Sequence, residues 1–135
     1  MKMYIKSVFV DDQSRAHAFY TGVLGFQTKH DIPMGNHKWL TLVSPEEPEG
    51  VELLLEPNEH PAASAFQAAL TKDGIPCTSF MVENLQAEFE RLEAAGVSFT
   101  QPPMAVGPVK MAVLDDTCGN LIQLVQMEAE ANEDG

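Results

Sequence analysis

The chain has 135 residues, 44% of them apolar, and a formal net charge of −12 at pH 7. That length suits one domain with a hydrophobic core, and no apolar run approaches the roughly 18–20 residues needed to span a bilayer. Eight Lys and Arg scattered among 20 Asp and Glu leave no basic patch for phosphate backbones, which excludes a nucleic-acid partner. The start, MKMYIK, enters a strand at once with no signal peptide, so a cytoplasmic protein is expected. Cys77 and Cys118 lack CxxC spacing and read as free thiols.

In chain order, Tyr4–Val10 alternates as a half-buried strand with Val8 and Val10 on one face. Asp11 and Asp12 supply N-cap oxygens for a helix near 13–23, whose stripe is Ala16, Phe19, Tyr20 and Val23. Gly22 and Gly25 loosen and end it. Strands follow near 27–34, 38–44 and 51–56, separated by the turn PMGNH and the acidic turn PEEPEG. Residues 57–75 form a connector, with a helix over Ala62–Thr71 that presents Ala65, Phe66, Ala69 and Leu70. A strand near 77–82 and a helix near 85–95 come next, then strands near 98–105, 109–114 and 121–127. Pro102 and Pro103 push the first of these last three to an edge or a break. Residues 129–135 read as a disordered acidic tail.

The order is a repeat. SFMVENLQAEFERLEAAGVSF (Ser79–Phe99) restates VFVDDQSRAHAFYTGVLGF (Val8–Phe26), with Val82, Glu83 and Asn84 matching Val10, Asp11 and Asp12, and Gly96 matching Gly25. Self-similarity of this length states the architecture directly. The fold class is α+β, built from two βαβββ modules (4–56 and 76–127) in one domain over 1–128.

These paired halves, together with AFYTGVLGF (Ala18–Phe26) and DDTCGNLIQLV (Asp115–Val125), resemble the vicinal oxygen chelate superfamily of glyoxalase I, bleomycin-binding proteins and extradiol dioxygenases. The resemblance covers Tyr4 to Met127. It implies two cupped mixed sheets around a central pocket, with a metal held by side chains on the first and fourth strands of each half. It also implies a homodimer, the pocket lying within one chain or between two. The metal positions carry Ile5, Glu52, Cys77 and Gln123. Ile5 has no donor atom, and Cys77 binds only as a soft thiolate. No cofactor is therefore expected, a divalent metal being the alternative, with His30 and His37 beside the first cup as substitute ligands. Cys77 also reads as a small buried hydrophobe.

By alternation, the cup faces present Ile5, Ser7, Phe9, Trp39, Glu52 and Leu54 from one half. The other half presents Cys77, Ser79, Met81, Met111, Val113, Gln123 and Val125. Aromatic and methionine walls with a few polar groups suit a small-molecule site. The expected function is binding of a planar or amphipathic ligand, contacted by Ser7, Phe9, Trp39, Leu54, Ser79, Met81, Met111 and Gln123. One alternative is a lyase, isomerase or dioxygenase, using a reduced metal site or Glu52 as a base raised by burial. The other is a non-catalytic interaction module whose cup is filled by its own side chains. His17 and His60 read as surface histidines, and Cys118 has no base positioned by sequence.

Overall fold

The computed structural model describes residues 1–128; the tail expected over 129–135 lies outside the described residues. Two four-stranded mixed sheets follow one another. Sheet 1 contains β1 (Ile5–Val10), β2 (Gln27–Met34), β3 (His37–Val43) and β4 (Glu52–Pro57), ordered β1-β4-β3-β2. Sheet 2 contains β5 (Thr78–Met81), β6 (Phe99–Val106), β7 (Val109–Asp115) and β8 (Leu121–Met127), ordered β5-β8-β7-β6. In each, the first strand runs parallel to the fourth and the remaining pairs are antiparallel. That is the βαβββ repeat read from the sequence.

The helices repeat as closely as the strands. Helix α1 (Gln13–Ala18) is capped by Asp12, whose side chain accepts from the Arg15 N–H, and α3 (Leu85–Ala94) by Asn84, which accepts from the Ala87 N–H. Both caps satisfy an orphan donor of the first turn. Helix α1 continues as a π-helical turn over Phe19–Val23, closed by the Leu24 N–H on the Phe19 carbonyl at 3.0 Å. Gly25 and Gly96 then take φ near +94° and +93°, a left-handed stop that a Cβ disfavours.

One face of each sheet packs inward, and the two inward faces share a core. Val8, Val10, Leu40, Leu42, Leu53 and Leu55 from sheet 1 join Ala112, Leu114, Ile122 and Leu124 from sheet 2 in one cluster with Tyr20 and Leu92. The Phe26 and Phe80 rings meet across the seam at 4.9 Å between centroids. Each buried Leu or Ile contributes roughly 1.5–3 kcal/mol. Because the inward faces converge, the opposite faces of the two sheets look away from each other.

The connector helix α2 (Pro61–Lys72) departs from its expected stripe. Its buried residues are Ala63 and Gln67, while Phe66 is 54% exposed. Hydrogen bonding overrides hydropathy here. The Gln67 amide donates to the Phe9 carbonyl at 2.8 Å and to Asn120 Oδ1 at 3.0 Å, and accepts from Asn58 at 2.6 Å.

Candidate functional site

The outward face of sheet 1 is organised in rows fixed by register. Ile5 lies opposite Glu52, Ser7 opposite Leu54 and Phe9 opposite Glu56. Thr41 pairs with Leu54 on one side and His30 on the other, and Trp39 pairs with Ile32. Side chains of paired residues share a face, so Ile5, Ser7, Phe9, Trp39, Thr41, Glu52, Leu54 and Glu56 stand together. The sequence-predicted residues of this half are thus brought to one surface. Thr41 and Glu56 belong there too and were missed, although the same alternation places them.

Glu52 is the centre of that face. It is 5% exposed, and Oε1 has no hydrogen-bond partner. The nearest cations stand off: His30 Nε2 is 4.0 Å from Oε1, and Lys29 Nζ is 4.0 Å from Oε2. Lys29 reaches the site because the register shifts between Thr28 and His30, making it the extra residue of a bulge. A regular strand would send adjacent residues to opposite faces. Thr41 Oγ1, fully buried in the next row, also lacks a partner. Orphaned buried polar atoms cost about 1–3 kcal/mol each, so both call for a partner from outside the chain, solvent included.

Gln13 shapes the same face from below. Strands β3 and β4 pair at Thr41–Leu54 and Leu42–Leu53 and then part. The backbone groups freed by the splay are taken by Gln13, whose amide donates to the Lys38 and Leu55 carbonyls at 3.0 and 2.8 Å and accepts from the Lys38 N–H at 3.0 Å. No hydropathy pattern signals this, because a polar residue at a helix start reads as solvated.

The outward face of sheet 2 is neutral by comparison. Ser79 lies opposite Gln123, Met81 opposite Val125, Met111 opposite Val125 and Val113 opposite Gln123. Ser79 donates to Gln123 Oε1 at 2.8 Å, and Met81 is 70% exposed. Ser79 is therefore the counterpart of Ser7 and Gln123 that of Leu54, and the assignment of Cys77, the counterpart of Ile5, to this face is corrected. Cys77 precedes β5 and packs against the common core, where burial and the Asp116 charge push its thiol up to about 11. Its N–H is tied to the Leu121 carbonyl at 2.9 Å. The two outward faces do not meet within one chain, so the predicted walls are not closed into a pocket by this chain alone.

The other candidates are structural. His17 bonds Thr28 at 2.7 Å, His37 bonds Glu59 at 3.0 Å, and His60 caps α2 by accepting from the Ala62 N–H at 3.0 Å. Cys118 is fully buried, and that burial raises its thiol to about 11, the opposite of an activated nucleophile. Buried Asp116 ties the modules together, accepting from Tyr20 Oη at 2.6 Å, the Cys118 and Asn120 N–H groups at 2.7 and 3.0 Å, and Asn120 Nδ2 at 2.8 Å. A groove of about 1210 Å³ opens at the inter-module seam, lined by residues that include Lys6, Leu53, Phe80 and Met127. It contains neither orphaned atom.

The metal implied by the resemblance does not fit these residues. Ile5 offers hydrocarbon, Ser79 and Gln123 are neutral and bonded to each other, and an ammonium approaches the Glu52 carboxylate. Among the described residues, no three His, Cys, Asp or Glu converge as ligands. A divalent ion at Glu52 would meet one anionic donor beside a lysine, which is no match for a hard-ligand cage.

Comparisons agree with the geometry. The YurT protein of Bacillus subtilis (strain 168), described as uncharacterized, is 54% identical over 126 residues, spanning 93% of this chain and 99% of its own. The crystal structure of UcmS2 superposes with a TM-score of 0.80 at 35% identity, over 93% of this chain and 97% of that one. TnmS3, an antibiotic binding protein from Streptomyces sp. CB03234, superposes with a TM-score of 0.73 at 22% identity, over 95% and 97%. The sequence model of one family matches residues 4–124. With the repeat, the cupped sheets and this match in agreement, the chain belongs to the Glyoxalase/Bleomycin resistance protein/Dioxygenase superfamily.

Proposed function

We propose that this protein binds a planar or amphipathic small molecule without a metal, in a cup that two copies of the chain complete. The observation that carries the reading is the outward face of sheet 1, where orphaned Glu52 Oε1 and Thr41 Oγ1 lie beside Trp39 and Phe9. Unsatisfied buried acceptors next to aromatic walls suit a ligand with a flat apolar body and a donor edge. TnmS3, which shares the fold, is called an antibiotic binding protein, in keeping with such a role.

The second copy follows from symmetry. One chain has two related outward faces that cannot reach each other, with Ile32, Met81 and Met104 exposed by 48%, 70% and 43%. A twofold axis sets sheet 1 of one copy against sheet 2 of the other, twice, and closes the assembly. Each cup then joins Trp39 and Glu52 to Met111, Ser79 and Gln123 of a second copy.

The test is Trp39 fluorescence, since this is the one tryptophan of the chain. Planar compounds should quench it with micromolar affinity, Glu52→Ala should weaken compounds with a polar edge, and light scattering should give a dimer. Metal content should stay substoichiometric. An emission indifferent to every compound in a broad planar library, from folded protein, overturns binding in favour of a filled interaction surface. The orphaned Glu52 oxygen also favours a second reading, in which that carboxylate is a base for proton abstraction; product formation from a bound carbonyl compound would select it.

A further inference from the structure

The reading of a ligand-binding cup leaves the charge of its ligand open, and the splayed end of sheet 1 narrows it. Phe9 lies opposite Glu56 in the parallel register of β1 and β4. On the other side of Glu56, β3 and β4 have parted around Gln13, and Trp39 is the next residue of β3 on this face. A half-buried carboxylate therefore stands beside Phe9, with Trp39 across the splay on the same face. Among the described residues, no Lys, Arg or His lies within 4.0 Å of it.

A second observation points the same way. One row over and beyond, Thr41 Oγ1 and Glu52 Oε1 are buried on this face with no partner, so two carboxylates look into the cup from β4. In sheet 2, Leu121 stands where Glu52 does, and Val125 stands where Glu56 does. The opposing wall thus supplies no countercharge at those positions. Ring faces carry negative quadrupole density and attract cations, all the more beside a carboxylate. A neutral ligand lying across Glu56 would strip water from an unpaired charge, and an anionic one would add repulsion.

We infer that the cup selects an organic cation: a flat aromatic body with a positively charged nitrogen seated at Glu56 between Phe9 and Trp39. This rests on the binding function proposed above, and it is testable separately from it. Three probes of one shape differ in charge near neutral pH: 9-aminoacridine (cation), acridine (neutral) and acridine-9-carboxylate (anion). Each is titrated into the full chain, followed by Trp39 quenching and by calorimetry.

The cation should bind at least about tenfold more tightly than acridine, with the anion weakest. Glu56→Gln should bring 9-aminoacridine to the affinity of acridine while leaving acridine unchanged. Glu93→Gln, on the exposed face of α3, alters net charge equally and should leave the discrimination intact, which separates a local contact from the general attraction of an acidic protein. Equal affinities for cation and neutral probe, or discrimination that survives Glu56→Gln, overturn the inference while the cup stands. If no acridine binds, this inference falls, and the broad planar library decides the cup itself.

Discussion

The two modules are copies that have been put to different uses. Asp12 and Asn84 cap the same helix, and Gly25 and Gly96 stop it with the same backbone turn. At the next helical position they diverge. Gln13 is wedged between β3 and β4, whereas its counterpart Leu85 is fully buried in the core. Strands β7 and β8 accordingly pair without a break from Val109–Met127 to Asp115–Leu121, while β3 and β4 part after Thr41–Leu54. The polar groups diverge in step. Gln123 is satisfied by Ser79, and Glu52 keeps an oxygen that nothing in the chain reaches. Module two is closed and self-sufficient; module one is splayed and unfinished. The lesson is that one scaffold keeps its fold in one half and exposes unsatisfied groups in the other.

The largest effect should come from cutting the joint between the halves. Asp116→Ala leaves the Tyr20 hydroxyl and the Cys118 and Asn120 N–H groups without an acceptor in the core, and takes one of two acceptors from Asn120 Nδ2. It should destabilise the fold by about 3 kcal/mol or more, read as a lower denaturation midpoint. A midpoint equal to the unmutated chain's would mean the modules are held by apolar contact alone.

Alkaline pH should weaken the same joint. Burial raises the Cys77 and Cys118 thiols from 9.0 to about 11, and burial together with the Asp116 charge raises the Tyr20 phenol further. A folded-state pKa above the unfolded one gives stability that is complete below pH 9 and lost as pH rises through about 11. Thermal melts should therefore be level from pH 7 to 8.5 and fall beyond 9, with Cys118→Ala flattening part of the fall.

Gln13→Leu puts the second module's residue into the first. It deprives the Lys38 N–H and the Lys38 and Leu55 carbonyls of their partner and should cost about 1–2 kcal/mol. Quenching of Trp39 by planar compounds should drop with it. Full retention of both would show that the splay is built by other contacts.

The smallest loss of stability belongs to Glu52→Gln, because the carboxylate forms no short hydrogen bond and its cations stand at 4.0 Å; removing an unpaired buried charge should leave the denaturation midpoint level or raise it. The contrast with Asp116→Ala is the sharpest check on the comparison. A loss of several kcal/mol at Glu52 would make it a structural carboxylate like Asp116.

The sequence by itself determined the repeat, the order of strands and helices, both caps and both glycine stops. These depend on alternation, short-range hydrogen bonding and φ, all of which act within a few residues. It also determined most of the outward face, since a period of two assigns every second side chain once the strand is known. Only the tertiary structure decided which faces of the two sheets converge, because alternation separates the faces of a strand without saying which one is covered. It moved Cys77 into the core and turned Gln67, rather than Phe66, inward to long-range acceptors at Phe9 and Asn120. It placed Lys29 at Glu52 through a bulge and Gln13 between two strands. Each of these is a polar or irregular contact between residues distant in the chain, and such contacts leave no period in the sequence.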